Sequence, residues 1–179
     1  MIKEIEKKYR IKDFNEIEKK VLLLGGVLKS EGNEVDIYFN VSGRDSMATK
    51  ECLRIRSSLS RKEVTYKPPT LEGDKNNKHF AKREINLPIQ DVEATVEFLE
   101  SLGNTLLVKL IKNRKHYIFS ENVSVVLDIL NDQYFFVEIE VESENEDEAL
   151  LKIKEVEAQL SLSDEMVETR PYRDIAMGL

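Results

Sequence analysis

Charged and polar residues recur at every second position in several short runs of this sequence. Glu4, Glu6 and Lys8 do so near the start, followed by Arg54 and Arg56, Thr65 and Lys67, and Lys112, Arg114 and His116. Ser124 and Asp128 flank Val126 in the same rhythm, and Glu138, Glu140 and Glu142 close the series. Two kinds of chemistry suit these residue types. Arginine and lysine hold phosphate oxygens, arginine with two parallel hydrogen bonds. Carboxylates hold hard divalent cations such as Mg²⁺ or Mn²⁺, which themselves bridge phosphates. A set that mixes both suits a polyphosphate carrying divalent metal.

A period of two belongs to a β-strand, whose successive side chains point to opposite faces. The intervening residues are mostly apolar: Leu53 and Ile55, Val64 and Tyr66, Val125, Leu127 and Ile129, and Val137, Ile139 and Val141. Each strand thus has a charged face and an apolar face. In an open sheet wetted on one side, such charges only solubilise and their signs are arbitrary. In a closed or nearly closed eight-stranded antiparallel barrel, the apolar faces lie under external helices and the charged faces line a tunnel. Burying both signs of charge is costly by desolvation unless something fills the space. A metal-bound polyphosphate is such a filling.

Eight strands are expected, over 2–11, 34–40, 51–58, 62–67, 79–87, 107–119, 122–130 and 134–142. The 3.6-residue period predicts helices over 13–24, 91–102 and 145–160, with a short one over 172–177. Phe14, Ile17, Val21 and Leu24 form the inward face of the first, Val92, Val96 and Leu99 that of the second, and Ala149, Ile153, Val156 and Leu160 that of the third. Asp13 with Glu16 has capping-box spacing, and Gly25-Gly26 and Gly103 are stop signals. Residues 68–77, with two prolines and a glycine, read as a loop. The helices fall between strands in no regular βαβ alternation, which predicts one α+β domain over 1–179.

The chain has 27 Lys and Arg against 34 Asp and Glu, a net charge of −7. Residues 138–148 hold seven carboxylates and no Lys or Arg, so the rest of the chain is balanced. A nucleic-acid surface needs a basic excess, so no nucleic-acid partner is expected. The single cysteine, Cys52, excludes an intrachain disulfide and reads as a structural thiol. The opening MIKEIEKKYR has no apolar signal region, and no apolar run approaches the roughly 20 residues of a membrane span. A cytoplasmic protein without membrane contact is the expectation.

Glu4-x-Glu6-x-Lys8 at the start of the first strand resembles the ExExK signature of the CYTH superfamily, the triphosphate tunnel metalloenzymes. The blocks that follow keep that family's order: Asp36-Ile37-Tyr38-Phe39, Leu53-Arg54-Ile55-Arg56, Thr65-Tyr66-Lys67, Arg83-Glu84, Lys112-x-Arg114-x-x-Tyr117, Leu127-Asp128 and Phe136-Val137-Glu138-Ile139-Glu140. Segment 36–56 is similar in spacing to the class IV adenylyl cyclase branch. Val41-Ser42 stands where that branch has His-Pro, Ser46 where it has Phe, and Lys50 where it has an acidic residue.

The resemblance implies that Glu4, Glu6, Asp128, Glu138 and Glu140 bind Mg²⁺ or Mn²⁺. It implies that Lys8, Arg54, Arg56, Lys67, Lys112 and Arg114 bind phosphate and stabilise developing charge. Tyr38 with Lys67 resembles a base-like pair of the triphosphatase members, and of Arg83 and Glu84 only one can face the tunnel. Arg170-Pro171-Tyr172-Arg173 is similar to a Ser-Tyr segment that closes the tunnel in relatives, with Pro171 in place of Ser. His116 shares the face of Lys112 and Arg114 but has no histidine partner at metal-ligand spacing.

The activity implied is conversion of ATP to cyclic AMP and pyrophosphate. The alternatives are hydrolysis of thiamine triphosphate, a nucleoside triphosphate or tripolyphosphate, and binding of a polyphosphate or nucleotide without turnover. The partner is then a nucleotide, another organic triphosphate or tripolyphosphate, and relatives of the cyclase branch suggest a homodimer.

Overall fold

In the computed structural model, which describes residues 3–69 and 84–179, eight strands form one sheet in the order β1-β8-β7-β6-β2-β3-β4-β5. The strands are β1 (Lys3–Ile11), β2 (Val27–Asn40), β3 (Cys52–Ser57), β4 (Lys62–Lys67), β5 (Ile85–Pro88), β6 (Thr105–Ser120), β7 (Val123–Leu130) and β8 (Tyr134–Ser143). The helices are α1 (Phe14–Leu23), α2 (Ser46–Thr49), α3 (Val92–Ser101), α4 (Glu146–Leu160) and α5 (Tyr172–Ala176). The sheet is antiparallel, and its order has two ends, β1 and β5. The chain divides into two compact units. Residues 3–32 and 112–169 belong to the first, and 33–69, 84–111 and 170–179 to the second.

In the first unit, β1 and β7 flank β8 and β6 pairs with β7. The apolar faces of Ile5, Tyr9, Val125, Leu127, Val137 and Ile139 are buried under α1 and α4. Asp13 caps α1 by accepting from Glu16 N, and Phe14, Ile17 and Val21 are buried as expected. Leu24 is a correction: it is 43% exposed, because α1 ends at Leu23 and the chain turns outward at its cap. Only glycine fits at position 26, where a Cβ would stand 2.7 Å from Val21 Cγ1 and 2.9 Å from Phe119. Asn145 caps α4, whose first turn holds Glu146, Asp147 and Glu148 where the helix dipole favours negative charge. Ala149, Ile153, Val156 and Leu160 all point into the core.

The second unit orders β2-β3-β4-β5 and packs Phe39, Leu53 and Ile55 against Leu99 of α3, with Val92 and Val96 beside them. Asp91 caps α3 through Ala94 N, and Gly103 ends the turn with φ of +84°. Two features escape the sequence pattern. β2 begins at Val27 rather than 34, because residues 27–31 are exposed on both sides and show no alternation. α2 is a single turn created by Asp45, whose carboxylate accepts from Met47 N and Ala48 N. β5 covers Ile85–Pro88; residues 79–83 of the expected strand, and 70–77 of the expected loop, lie outside the described residues. Among the described residues no helix is long and apolar enough to cross a membrane.

Candidate active site

The register of the first unit sets the charged residues in rows. Glu6 stands opposite Glu140 and Lys8 opposite Glu138 across β1 and β8, while Arg114 stands opposite Asp128 across β6 and β7. Glu4, Glu6 and Glu140 each offer a carboxylate oxygen within 4.8 Å of the others. Burial drives the Glu140 carboxyl well above the usual carboxylate range, reinforced by Glu4, Glu138 and Glu6 against the pull of Arg114. Three hard oxygen donors that repel one another when ionised fit a divalent cation such as Mg²⁺ or Mn²⁺.

Arg114 organises the next row. Its Nε and Nη2 donate to Asp128 Oδ1 and Oδ2 at 2.8 and 2.5 Å, and Nη2 also donates to Glu138 Oε2 at 2.7 Å. Of the five expected metal ligands, three therefore converge, while Asp128 and Glu138 hold Arg114. Lys8 and Lys112 are buried on this face. Burial lowers the Lys8 ammonium below its ordinary value, opposed by Glu138 and Glu6, and its Nζ lies 6.0 Å over the Phe136 ring.

On the second unit, Arg56 clamps Asp36, with Nε to Oδ1 at 2.7 Å and Nη2 to Oδ2 at 2.9 Å. Glu34 lies 3.0 Å from the same Nε, and Arg54 Nη1 is 3.7 Å from Asp36. Arg54 stands opposite Thr65, and both keep a buried donor, Nε and Oγ1, that no hydrogen bond uses among the described residues. Buried unused donors on a cationic face suit an anionic oxygen.

Tyr38 and Lys67 are not each other's partners. Tyr38 donates to Asp36 Oδ2 at 3.4 Å, and burial and the Asp36 charge raise its phenol above the usual value. Lys67 is paired with Glu84, whose carboxyl is depressed because Lys67 outweighs the effect of burial. Arg83 lies outside the described residues.

Glu51 carries no site signal in the sequence, where it opens the expected strand 51–58 on the apolar face of Leu53 and Ile55; in the structure it precedes β3. Fully buried, it accepts from Thr49 Oγ1 at 3.0 Å and Tyr66 Oη at 2.8 Å, with Arg44 at 3.3 Å. Its carbonyl accepts from Arg173 of α5 at 2.9 Å, which anchors the C-terminal segment.

Residues 2–172 match the CYTH domain family. The chain belongs to the CYTH family. Another member, a Methanocaldococcus jannaschii protein provisionally named an adenylate cyclase, is 30% identical over 175 residues, which are 96% of this chain and 97% of that protein. The structure of the PH1819 protein of Pyrococcus horikoshii OT3 matches this CYTH chain with a TM-score of 0.81 and 29% identity, over 98% of both. A Hippeastrum protein, described as a provisional adenylyl cyclase with a dominant triphosphatase activity, shares the fold with a TM-score of 0.69. It is 15% identical, over 98% of this chain and 96% of that one.

Proposed function

We propose that this CYTH protein is a divalent-metal-dependent enzyme that converts ATP to cyclic AMP and pyrophosphate. The observation that carries the metal–triphosphate reading is the convergence of Glu4, Glu6 and Glu140 within 4.8 Å. They lie on β1 and β8, which also carry Lys8 and Glu138, and Glu138 accepts from Arg114 of β6. The provisional name of the Methanocaldococcus relative and the spacing of segment 36–56 support the cyclase over other triphosphate chemistry.

Glu4, Glu6 and Glu140 would hold Mg²⁺ or Mn²⁺, while Asp128 and Glu138 hold Arg114 beside them. When bound, the metal would neutralise charge on the phosphate oxygens. The remaining work falls to the chain's own side chains. Arg114, fixed by Asp128 and Glu138, offers its guanidinium without further rotamer loss. Lys8, Lys112, Arg54, Arg56 and Lys67 would bind phosphate oxygens and stabilise the pyrophosphate as it leaves. In the reaction the ribose 3′ oxygen bonds to the α-phosphorus, the bond from that phosphorus to the bridging oxygen breaks, and the 3′ proton is released.

Hydrolysis of a triphosphate is the second reading. It is favoured by segment 41–50, where the cyclase-like side chains are replaced and Asp45 builds α2, and by the triphosphatase activity described for the Hippeastrum protein. The test is incubation with ATP, thiamine triphosphate and tripolyphosphate, each with Mg²⁺ or Mn²⁺, and chromatography of the products. Cyclic AMP with matching pyrophosphate supports the cyclase. Orthophosphate without cyclic AMP replaces it with the triphosphatase, and binding without product overturns both.

A further inference from the structure

The charged face of the first unit carries one nitrogen that the residues above leave unused. His116 lies two residues beyond Arg114 on β6, and so on the same face, opposite Val126 of β7. Its ring is partly buried, and Nε2 is shielded from solvent with no hydrogen-bond partner among the described residues. Leaving such a nitrogen unsatisfied costs free energy comparable to a lost hydrogen bond. A ligand that completes it recovers that loss.

The surrounding charge decides which ligand. Burial, then Lys29 of β2 and Arg114 of β6, hold the imidazole below its ordinary range, so the ring is neutral at pH 7. Asp128 of β7 and Glu138 of β8 are engaged by Arg114. The carboxylate cluster of Glu4, Glu6 and Glu140 does not include His116, and a cation there would meet Lys29 and Arg114. An anionic oxygen meets a favourable field and, when the ring carries its proton on Nε2, a hydrogen-bond donor. A neutral donor also suits a face already holding Lys8, Lys112 and Arg114, because it adds no further buried charge.

We propose that His116 is an additional phosphate contact, its Nε2–H donating to an anionic oxygen beside Arg114. This rests on the reading that the site takes a triphosphate. His116 is not among the residues that the family resemblance assigns to phosphate, and the contact belongs to this chain's own sequence.

The experiment measures tripolyphosphate binding calorimetrically, with Mg²⁺, to the full chain and to His116→Ala, His116→Asn and His116→Gln. Glutamine places its amide nitrogen near Nε2, whereas asparagine reaches only the position of Nδ1. Alanine and asparagine are expected to weaken binding roughly tenfold, and glutamine to stay within about threefold of wild type. A second measurement needs no folded variant of low stability. In the wild type, the ¹⁵N resonance of His116 Nε2, assigned by its loss in His116→Gln, is expected to move on saturation with tripolyphosphate. Wild-type affinity in a folded His116→Ala, or an unmoved resonance in a saturated wild type, overturns this contact and leaves the triphosphate reading intact. A wild type that binds no tripolyphosphate overturns both.

Discussion

Glu6 and Glu140 stand directly opposite one another on adjacent antiparallel strands, with Glu4 near enough that all three carboxylates fall within 4.8 Å. Like charges directly opposite in a sheet destabilise it, by roughly 1 kcal/mol. The sequence therefore sacrifices stability here for a charge arrangement that metal would relieve. Glu140→Gln and Glu6→Ala are expected to raise the melting temperature of metal-free protein by about 2–4 °C and to remove Mn²⁺-dependent turnover. Calorimetric melting with and without Mn²⁺ checks the first, and product chromatography the second. Melting below the wild type would show that the triad is stabilising without metal.

The raised carboxyl of Glu140 gives a pH dependence with a definite sign. The folded value lies above the unfolded one, so the protonated form is favoured in the fold. The contribution of Glu140 to the stability of metal-free protein is then fully present below the ordinary carboxylate range and is lost as pH rises from there through the raised value. Metal must displace that proton, so Mn²⁺ affinity is expected to weaken as pH falls, starting at higher pH than for an ordinary carboxylate. Isothermal titration at several pH values, in buffers of different ionisation enthalpy, measures both the affinity and the protons released. Release of no protons across the range would contradict this assignment.

Asp36 and Arg56 form an enclosed ion pair of the second unit: Asp36 is fully buried, and both its oxygens are held by the guanidinium. Removing one partner of such a pair leaves an uncompensated buried charge, at a cost of about 3–5 kcal/mol. Asp36→Ala is expected to lower stability by that amount in urea denaturation followed by circular dichroism. Arg56→Lys is expected to be destabilising too, since an ammonium cannot reproduce two parallel hydrogen bonds. A loss below 1 kcal/mol in Asp36→Ala would mean that water or Glu34, 3.0 Å from Arg56 Nε, takes over the guanidinium.

The sequence revealed most where side-chain period and burial coincide. Val137, Ile139 and Val141 alternate with Glu138, Glu140 and Glu142, and the strand and its two faces follow from that. The inward residues of α4 were legible for the same reason. Leu24 was not, because periodicity extends past the point where the backbone stops being helical. The site was legible as a set of charges but not as a set of pairs. Nothing in the spacing says that Arg114 takes Asp128 and Glu138 while Glu140 joins Glu4 and Glu6, since that depends on which strands are neighbours. The role of Glu51, and α2 itself, were invisible, being built from turn chemistry and long-range hydrogen bonds that have no period.

Glu51 joins three parts of the second unit, and its removal tests whether segment 41–50 is held by it. Thr49 at the end of α2, Tyr66 on β4 and Arg44 in the preceding turn all converge on its carboxylate. Glu51→Ala would leave the Tyr66 hydroxyl without its acceptor, and the Thr49 hydroxyl with only the Asp45 carbonyl. A coupling of about 0.5–3 kcal/mol is expected in a double-mutant cycle with Tyr66→Phe, measured by urea denaturation. Burial raises the Tyr66 phenol above its ordinary value, and the hydrogen bond to and charge of Glu51 raise it further. In Glu51→Ala, Tyr66 is therefore expected to ionise at lower pH than in the wild type. The difference between ultraviolet titrations with and without Tyr66→Phe isolates that group. Cleavage of segment 41–50 by trypsin, at Arg44 and Lys50, is expected to quicken in the same variant. Unchanged cleavage with zero coupling would show that the buried carboxylate is a passive occupant and that the Asp45 cap alone holds α2.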